Sequence, residues 1–336
     1  MKLFRDLPHN QQEIALPKKD RGIALTEKDR GIALTIGNFD GMHLGHQALL
    51  SETLRVAKER GLHAAAMTFE PHPREFFDPA NAPARLSSLR EKAVCLQKAG
   101  IEYLYVCRFN QSFAQQSPEN FVTLLQQRLL CRWLLVGEDF RFGAKRSGDV
   151  ALLRSRGQSC GVDVATLPDI NLDGLRISST AVREALACGN MHLAEALLGR
   201  PYSISGRVQH GNKLGRTIGF PTANVSLSNR KPALIGVYAV KCTDVRVRGL
   251  EGVATGVASL GTNPTVRPAK PAPAGGRHSL EVFLFDFSDD LYGKRINVEF
   301  CEKLRDEAKF PSLDALRTQI QRDSDAAREY FAADRR

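Results

Sequence analysis

The chain has 336 residues, of which 43% are hydrophobic and 25% charged, which provides for two buried cores and excludes a disordered chain. No apolar run reaches the ~20 residues of a membrane-spanning helix. The formal net charge of +10 comes without a long Lys/Arg tract, so it favours small phosphorylated ligands over nucleic acid.

The octapeptide KDRGIALT stands at 19–26 and again at 28–35, and only the second copy runs into IGNFDG. A single repeat this short is a local duplication and not a solenoid. From Gly31 to about Gly189 strand and helix signals alternate. GIALTIG (31–37) is an apolar, β-branched run. His43–Arg60 has helical periodicity and stops at Gly61. HAAAMTF (63–69), EYLYVCRF (102–109), RWLLVG (132–137) and VDVATL (162–167) read as further strands. Helices are expected near 87–99, from Ser117-Pro118, and near 148–157 with Gly157 as the stop. This order predicts a parallel sheet covered by helices, with ligands beyond the carboxyl ends of its strands.

Near 197–206 the pattern changes to short alternating strands, YSISGRV, GVYAVKC, GVATGVASLG, SLEVFLFDF and INVEF, which read as a small barrel or a sandwich. RPAKPAPAGG (267–276) reads as a flexible loop, and Ser312 to about Phe331 as a terminal helix. The seven cysteines, without a C-x-x-C pair, fit free thiols in a reducing cytoplasm. The polar start MKLFRDLPHNQQ lacks the apolar stretch of a secretory signal.

Three constellations point to chemistry. In TIGNFDGMHLGH (35–46) a loop leaves a strand and enters a helix whose first turn holds His43 and His46. Two histidines at i and i+3 are compatible with a metal, yet H-E-x-x-H is absent. They are also compatible with core filling. Their place at a helix N-terminus favours donors to phosphate oxygens. In RISSTAVREAL (176–186) Ser178, Ser179 and Thr180 offer hydroxyls at a helix start, and Arg183 supplies a cation where a bound anion would relieve the dipole mismatch. In GRVQHGNKLGRTIGFPTAN (206–224) Gly211, Gly215 and Gly219 let backbone approach a ligand, and Lys213 and Arg216 bring charge. Thr222 and Asn224 offer neutral oxygens for a Mg2+ shell beside ATP phosphates. Within SLEVFLFDF both faces are apolar, so the strand reads as buried on both sides, where the Glu281 carboxylate is costly unless it has a partner or a role; the alternative is an edge glutamate reaching solvent.

HLGH (43–46) with ISSTAVR (177–183) resembles the nucleotidylyltransferase superfamily. The fuller TIGNFDGMHLGH, with FEPHPREFF (69–77) and VGEDFRFG (136–143), resembles the adenylyltransferase module of bifunctional prokaryotic riboflavin kinase/FAD synthetases. The 206–224 segment and EFCEKLRDEAKF (299–310) resemble that family's kinase half.

The resemblance implies a Rossmann-like α/β nucleotidylyltransferase domain over 1–198. Over 199–336 it implies a small antiparallel β-barrel riboflavin kinase domain with a terminal helix. ATP would serve as co-substrate with Mg2+, turning riboflavin into FMN and FMN into FAD. It places the ATP of adenylyl transfer on Gly37, Asn38, Phe39, Asp40, Gly41, His43, His46, Ser178, Ser179, Thr180 and Arg183. The flavin falls to Pro71, His72, Pro73, Asp139, Phe140 and Phe142. In the kinase it implies ATP on the glycines, Lys213 and Arg216, metal on Thr222 and Asn224, Glu281 as base, and Arg305 near the flavin. A class I aminoacyl-tRNA ligase would need an anticodon-reading region, and a nucleic-acid-binding barrel would need a basic, aromatic-studded face. Neither pattern is present, so no nucleic acid, membrane or obligate protein partner is expected.

Overall fold

In the computed structural model the described residues are 1–7, 31–211, 219–227, 231–243, 246–247, 250–262 and 278–333. They form two compact units, Met1–Pro83 with Ser87–Ile177, and Ala84–Leu86 with Ser178–Arg336. The first copy of the octapeptide, the 267–276 segment, Lys213, Gly215 and Arg216 lie outside the described residues.

The first unit runs β1 (Lys2–Arg5), β2 (Ile32–Ile36), α1 (Leu44–Glu59), β3 (His63–Glu70), α2 (Pro73–Phe77), α3 (Leu89–Lys98), β4 (Tyr103–Arg108), α4 (Gln111–Ala114), α5 (Pro118–Leu129), β5 (Cys131–Gly137), α6 (Val150–Cys160) and β6 (Asp163–Leu167), then a small hairpin of β7 (Asn171–Leu172) and β8 (Leu175–Arg176). Six strands pair in the order β1-β4-β3-β2-β5-β6, all parallel. Both faces are covered, which is why β2 reads as an unbroken apolar run. Ile32, Leu34 and Ile36 enter one core with Phe121, Leu125 and Leu153 of α5 and α6. Ala33 enters the other, with Ala64, Ala66 and Trp133 beneath Leu50 and Val56 of α1 and Leu96 of α3. The alanines of β3 let α1 sit close to the sheet.

Two elements depart from the sequence expectation. β1 is a short edge strand, KLFR, whose two apolar residues are too few to mark it in the sequence; it is added to β4 with Phe4 stacked on Tyr105 at 5.1 Å. Gly157 does not stop α6, which ends at Gly161 in the left-handed conformation. Gly157 is buried mid-helix because a Cβ there would lie 2.7 Å from the Val162 carbonyl. Close helix–strand packing, and not chain termination, explains it.

The second unit runs α7 (Ser179–Ala187), α8 (Met191–Leu198), β9 (Tyr202–Gln209), β10 (Ala223–Val225), β11 (Gly236–Thr243), β12 (Arg246–Val247), β13 (Leu250–Glu251), β14 (Ala254–Thr262), β15 (His278–Leu284), β16 (Arg295–Arg305) and α9 (Leu313–Ala333). A closed barrel forms in the order β10-β15-β14-β11-β16-β9, resolving the choice between barrel and sandwich. Alternation along β11 separates its neighbours: Tyr238 and Val240 are fully buried, while Val237 and Ala239 pack with Ala327 and Phe331 of α9.

The strand carrying Glu281 is not buried on both sides as predicted. Leu280, Val282 and Leu284 are buried, but Glu281 and Phe283 are only half-buried, because α9 covers the Phe283–Phe285 end of that face and the carboxylate keeps part of its surface. β15 also ends at Leu284, short of the apolar run.

An ion pair ties α9 to the barrel. Arg305 Nε donates to Asp323 Oδ1 at 2.9 Å and its Nη2 to Oδ2 at 2.8 Å. Gln319 adds a third donor to Asp323 at 2.8 Å. The Asp323 side chain is 6% exposed and that of Arg305 23%, so removing one partner strands a charge that water reaches poorly. Asp323→Ala is expected to cost about 3 kcal/mol in chemical denaturation, the low end for a broken buried pair; a change below about 0.5 kcal/mol would show that the clamp is ornamental.

Candidate active sites

The chain proceeds from β2 to β3 and β4 on one side of the sheet and then to β5 and β6 on the other, so the strand order reverses between β2 and β5. Ligands of open parallel sheets bind at this point, beyond the strands' carboxyl ends. The loop leaving β2 there, residues 37–43, is unusual in its backbone. Phe39, Gly41 and Met42 have φ of 48°, 84° and 51°, and two non-glycine residues in the left-handed region persist only where the surroundings enforce them. The surroundings do so through Ser87. Asp40, 4% exposed, accepts from the Ser87 amide at 2.9 Å and from its hydroxyl at 3.3 Å. The same hydroxyl accepts from the Gly41 amide at 3.1 Å. Phe39 is fully buried, and its ring meets that of His46 edge-on at 5.3 Å. The Gly37 amide donates to the Met67 carbonyl at 3.1 Å.

His43 is the N-cap of α1, its Nδ1 accepting from the His46 amide at 3.3 Å. The two imidazoles stack with centroids 3.6 Å apart. Gly45 makes this possible, because a Cβ at that position would stand 3.1 Å from the His43 ring. His46 is half-buried, and its Nδ1 is closed off from solvent without a hydrogen-bond partner. Burial first, then His43, then Lys92, hold the His46 pKa well below the ordinary histidine value. Among the described residues no group of three or more His, Cys, Asp or Glu gathers at metal-binding distance.

At the carboxyl end of β3, His72 caps α2, its Nδ1 accepting from the Arg74 amide at 3.1 Å, with Pro73 in the first turn and Pro71 preceding the cap. Beyond β5, Asp139 pairs with Arg176 of the small hairpin at 2.8 Å. Phe140 and Phe142 stack at 5.7 Å; Phe142 belongs to the core, and Phe140, half-buried, packs against it. Phe69, Phe76, Phe77, Phe109 and Phe113 add an aromatic cluster above β3 and β4. Of these only the 69–77 segment was marked by sequence; Phe109 directly follows β4, its amide donating to the Glu70 carbonyl at 3.0 Å, and Phe113 comes from α4.

In the second unit Ser178 caps α7, accepting from the Ala181 amide at 3.1 Å, with Ser179 and Thr180 in the first turn. Arg183 lies one turn further, its Nε donating to the Ala84 carbonyl at 2.6 Å.

In the barrel Asn224 of β10 stands opposite Glu281 of β15, and the Thr222 hydroxyl lies 3.5 Å from the Glu281 carboxylate. Gly211 has its back to this group: a Cβ there would lie 2.2 Å from the Asn224 amide nitrogen. Beside Thr222 opens a cavity of about 580 Å³, walled by Val208, Val282, Leu284 and the loop Phe287–Tyr292. That loop escaped the sequence reading, because its Ser-Asp-Asp-Leu-Tyr string looks like any polar turn. Gly219 takes a left-handed φ of 88°. Arg305, expected near a flavin, has its guanidinium on Asp323.

A family model described as FAD synthetase matches residues 25–181, and one described as riboflavin kinase matches residues 198–331. The bifunctional riboflavin kinase/FMN adenylyltransferase of Haemophilus influenzae is 48% identical over 88% of this chain and 93% of its own. That of Escherichia coli is 49% identical over 88% and 92%, and that of Pseudomonas fluorescens 46% over 89% and 92%. A crystal structure described as a macrolide-efflux protein from Streptococcus pneumoniae superposes with a TM-score of 0.75 at 28% identity, covering 98% of this chain and 99% of that one.

The environment of His46 makes stability depend on pH. Its folded pKa lies below the unfolded value, so on acidification the unfolded chain takes up a proton first. The contribution is whole above about pH 6.5 and is lost as pH falls from there towards the folded pKa. In thermal melts between about pH 7.5 and pH 5.5, His46→Gln should show a shallower fall in Tm than the parent chain; identical slopes would exclude His46 as a source.

Proposed function

The chain belongs to the bifunctional riboflavin kinase/FMN adenylyltransferase family, and we propose how its residues divide the two reactions. It phosphorylates riboflavin to FMN and adenylylates FMN to FAD with release of pyrophosphate, using ATP as co-substrate in both. We assign adenylyl transfer to residues 1–198 and the kinase to 199–336, in keeping with the matched segments 25–181 and 198–331. Helices α7 and α8 cluster with the barrel by contact, but the Ser178–Arg183 segment is assigned to the first reaction.

In adenylyl transfer an FMN phosphate oxygen attacks the α-phosphorus of ATP, the bond to the bridging oxygen breaks, and pyrophosphate leaves. No enzyme nucleophile is required, so positioning and charge stabilisation carry the catalysis. His43 and His46 are assigned as donors to the ATP phosphates. The supporting observation is their stacked placement at the N-terminus of α1, at the strand-order reversal, where backbone amides and helix dipole also favour an anion. Gly37, Asn38, Phe39, Asp40 and Gly41 are assigned to ATP with the histidines of their loop, and Ser178, Ser179, Thr180 and Arg183 to the same reaction on the family resemblance of their own segment. Pro71, His72, Pro73, Asp139, Phe140 and Phe142 are assigned to the flavin side, with His72 and Phe142 also shaping their own segments.

In the kinase Glu281 accepts the proton of the riboflavin 5′-hydroxyl as that oxygen attacks the γ-phosphorus and ADP departs. Its half-exposed carboxylate beside Thr222 supports this role. The neutral oxygens of Thr222 and Asn224 fit the oxygen preference of Mg2+, and the close approach of Gly211 holds the Asn224 amide in place. When bound, the ion would neutralise phosphate charge. ATP is assigned to the adjoining cavity and to Gly211 and Gly219; Lys213, Gly215 and Arg216, outside the described residues, are assigned to it on the family resemblance of the 206–224 segment alone. Arg305 serves the flavin side by holding α9 through Asp323. The seven free cysteines support a cytoplasmic setting.

Two variants test the division. Glu281→Gln is expected to abolish riboflavin phosphorylation while supplied FMN still becomes FAD. His46→Ala should slow FAD synthesis from FMN by about 10²–10³-fold, the scale of one lost charge-stabilising donor, and leave riboflavin phosphorylation intact. Chromatographic resolution of FMN and FAD reads both. Near-normal FMN output from Glu281→Gln would remove that residue from the mechanism.

A further inference from the structure

Lys92 of α3 is 5% exposed, a depth that lysine seldom reaches without a specific role. Its Nζ donates to Thr68 Oγ1 at 3.1 Å, and Thr68 Oγ1 donates to the Asn38 carbonyl at 3.2 Å. Thr68 is fully buried in β3, so the relay connects the ammonium to the backbone of the 37–43 loop from beneath. Two buried acceptors of that neighbourhood, Asn38 Oδ1 and His46 Nδ1, have no hydrogen-bond partner. By sequence the stretch is part of the helix expected near 87–99, and nothing there marks Lys92.

We propose that Lys92 is a positioning residue for adenylyl transfer. Through Thr68 and Asn38 it holds the histidine loop in the form that receives the nucleotide phosphates, and its charge shapes the field in which His46 works. The inference rests on the assignment of this loop to adenylyl transfer. A buried cation acts through a poorly screening medium, so it contributes more to an arriving phosphate than a surface lysine would. It also limits His46. The groups acting on that imidazole are His43 from its own turn and Lys92 from α3, and both oppose its protonation along with burial. The carboxylate of the loop, Asp40, accepts from Ser87. His46 is thereby kept as a neutral donor, while the positive charge sits on a group that cannot leave the core. A lysine that merely filled space would do neither.

The test uses the full chain with riboflavin and FMN supplied separately. Lys92→Met keeps the stem and removes the charge; Thr68→Val keeps the charge and cuts the relay. Lys92→Met should lower kcat for FAD synthesis by about 10²-fold, the cost of a misplaced catalytic group, with KM for FMN and riboflavin phosphorylation within about twofold. It should also move the acid limb of the FAD-synthesis pH profile upwards, because His46 protonates more readily without the cation. Thr68→Val should lower kcat and leave the acid limb in place. The proposal is overturned if Lys92→Met keeps the parent kcat and acid limb, or if both activities fall together with the folded fraction. Should Lys92→Met not fold, a parental kcat in Thr68→Val overturns it. His46→Ala, run alongside, separates the levels: a parental rate there removes the loop assignment itself, whereas a slow His46→Ala with a normal Lys92→Met removes Lys92 alone.

Discussion

The loop we assign to adenylyl transfer depends on one constraint, the hydrogen-bonded lock between Ser87 and the Asp40–Gly41 turn. A loop with Phe39 and Met42 both at positive φ stores of order 1–3 kcal/mol of strain per such residue. Left alone it would relax. Ser87 prevents this by donating twice to Asp40 and accepting from Gly41, and burial strengthens those bonds by excluding water. The fixed loop then delivers His43 to the cap position of α1 and His46 beneath it. Three features follow from that delivery: the stacked imidazoles, the glycine between them, and a His46 pKa held below the ordinary histidine value.

The barrel solves a similar problem without strain. Its closed antiparallel register sets Asn224 opposite Glu281, and a missing side chain at Gly211 leaves room for the amide. Here the hydrogen-bonded ladder itself is the positioning device. The Arg305–Asp323 clamp fixes α9 over one side of β11 and β14, against Phe283 and Phe285 at the end of β15. Two units of different architecture therefore share one feature, that glycine marks the points of closest approach beside the residues we assign to catalysis.

Much of this was legible in the sequence because periodicity reports burial. β2 through β6 were visible as apolar runs, and the alternation of β9, β11 and β16 as half-buried strands. TIGNFDGMHLGH carried the first site openly, since a strand end, a turn and a helix start are all local features. What escaped were long-range dependences. β1 owes its existence to the free edge of β4, and Gly157 to the approach of Val162. Ser87 and Lys92 act 46 and 24 residues from their partners Gly41 and Thr68. Glu281 was placed correctly on its strand but given too little solvent, because an apolar pattern cannot say how far α9 reaches. Arg305 was legible as important, and only the structure shows which carboxylate occupies it.

We assign adenylyl transfer to the locked loop as a whole, and not merely to its histidines. Ser87→Ala removes one hydroxyl at the lock and leaves both histidines, the flavin side and the barrel in place. Its kcat for FAD formation from FMN is expected to fall by about tenfold or more while riboflavin phosphorylation proceeds at the parent rate. A Ser87→Ala enzyme that converts FMN to FAD as fast as the parent would contradict this assignment.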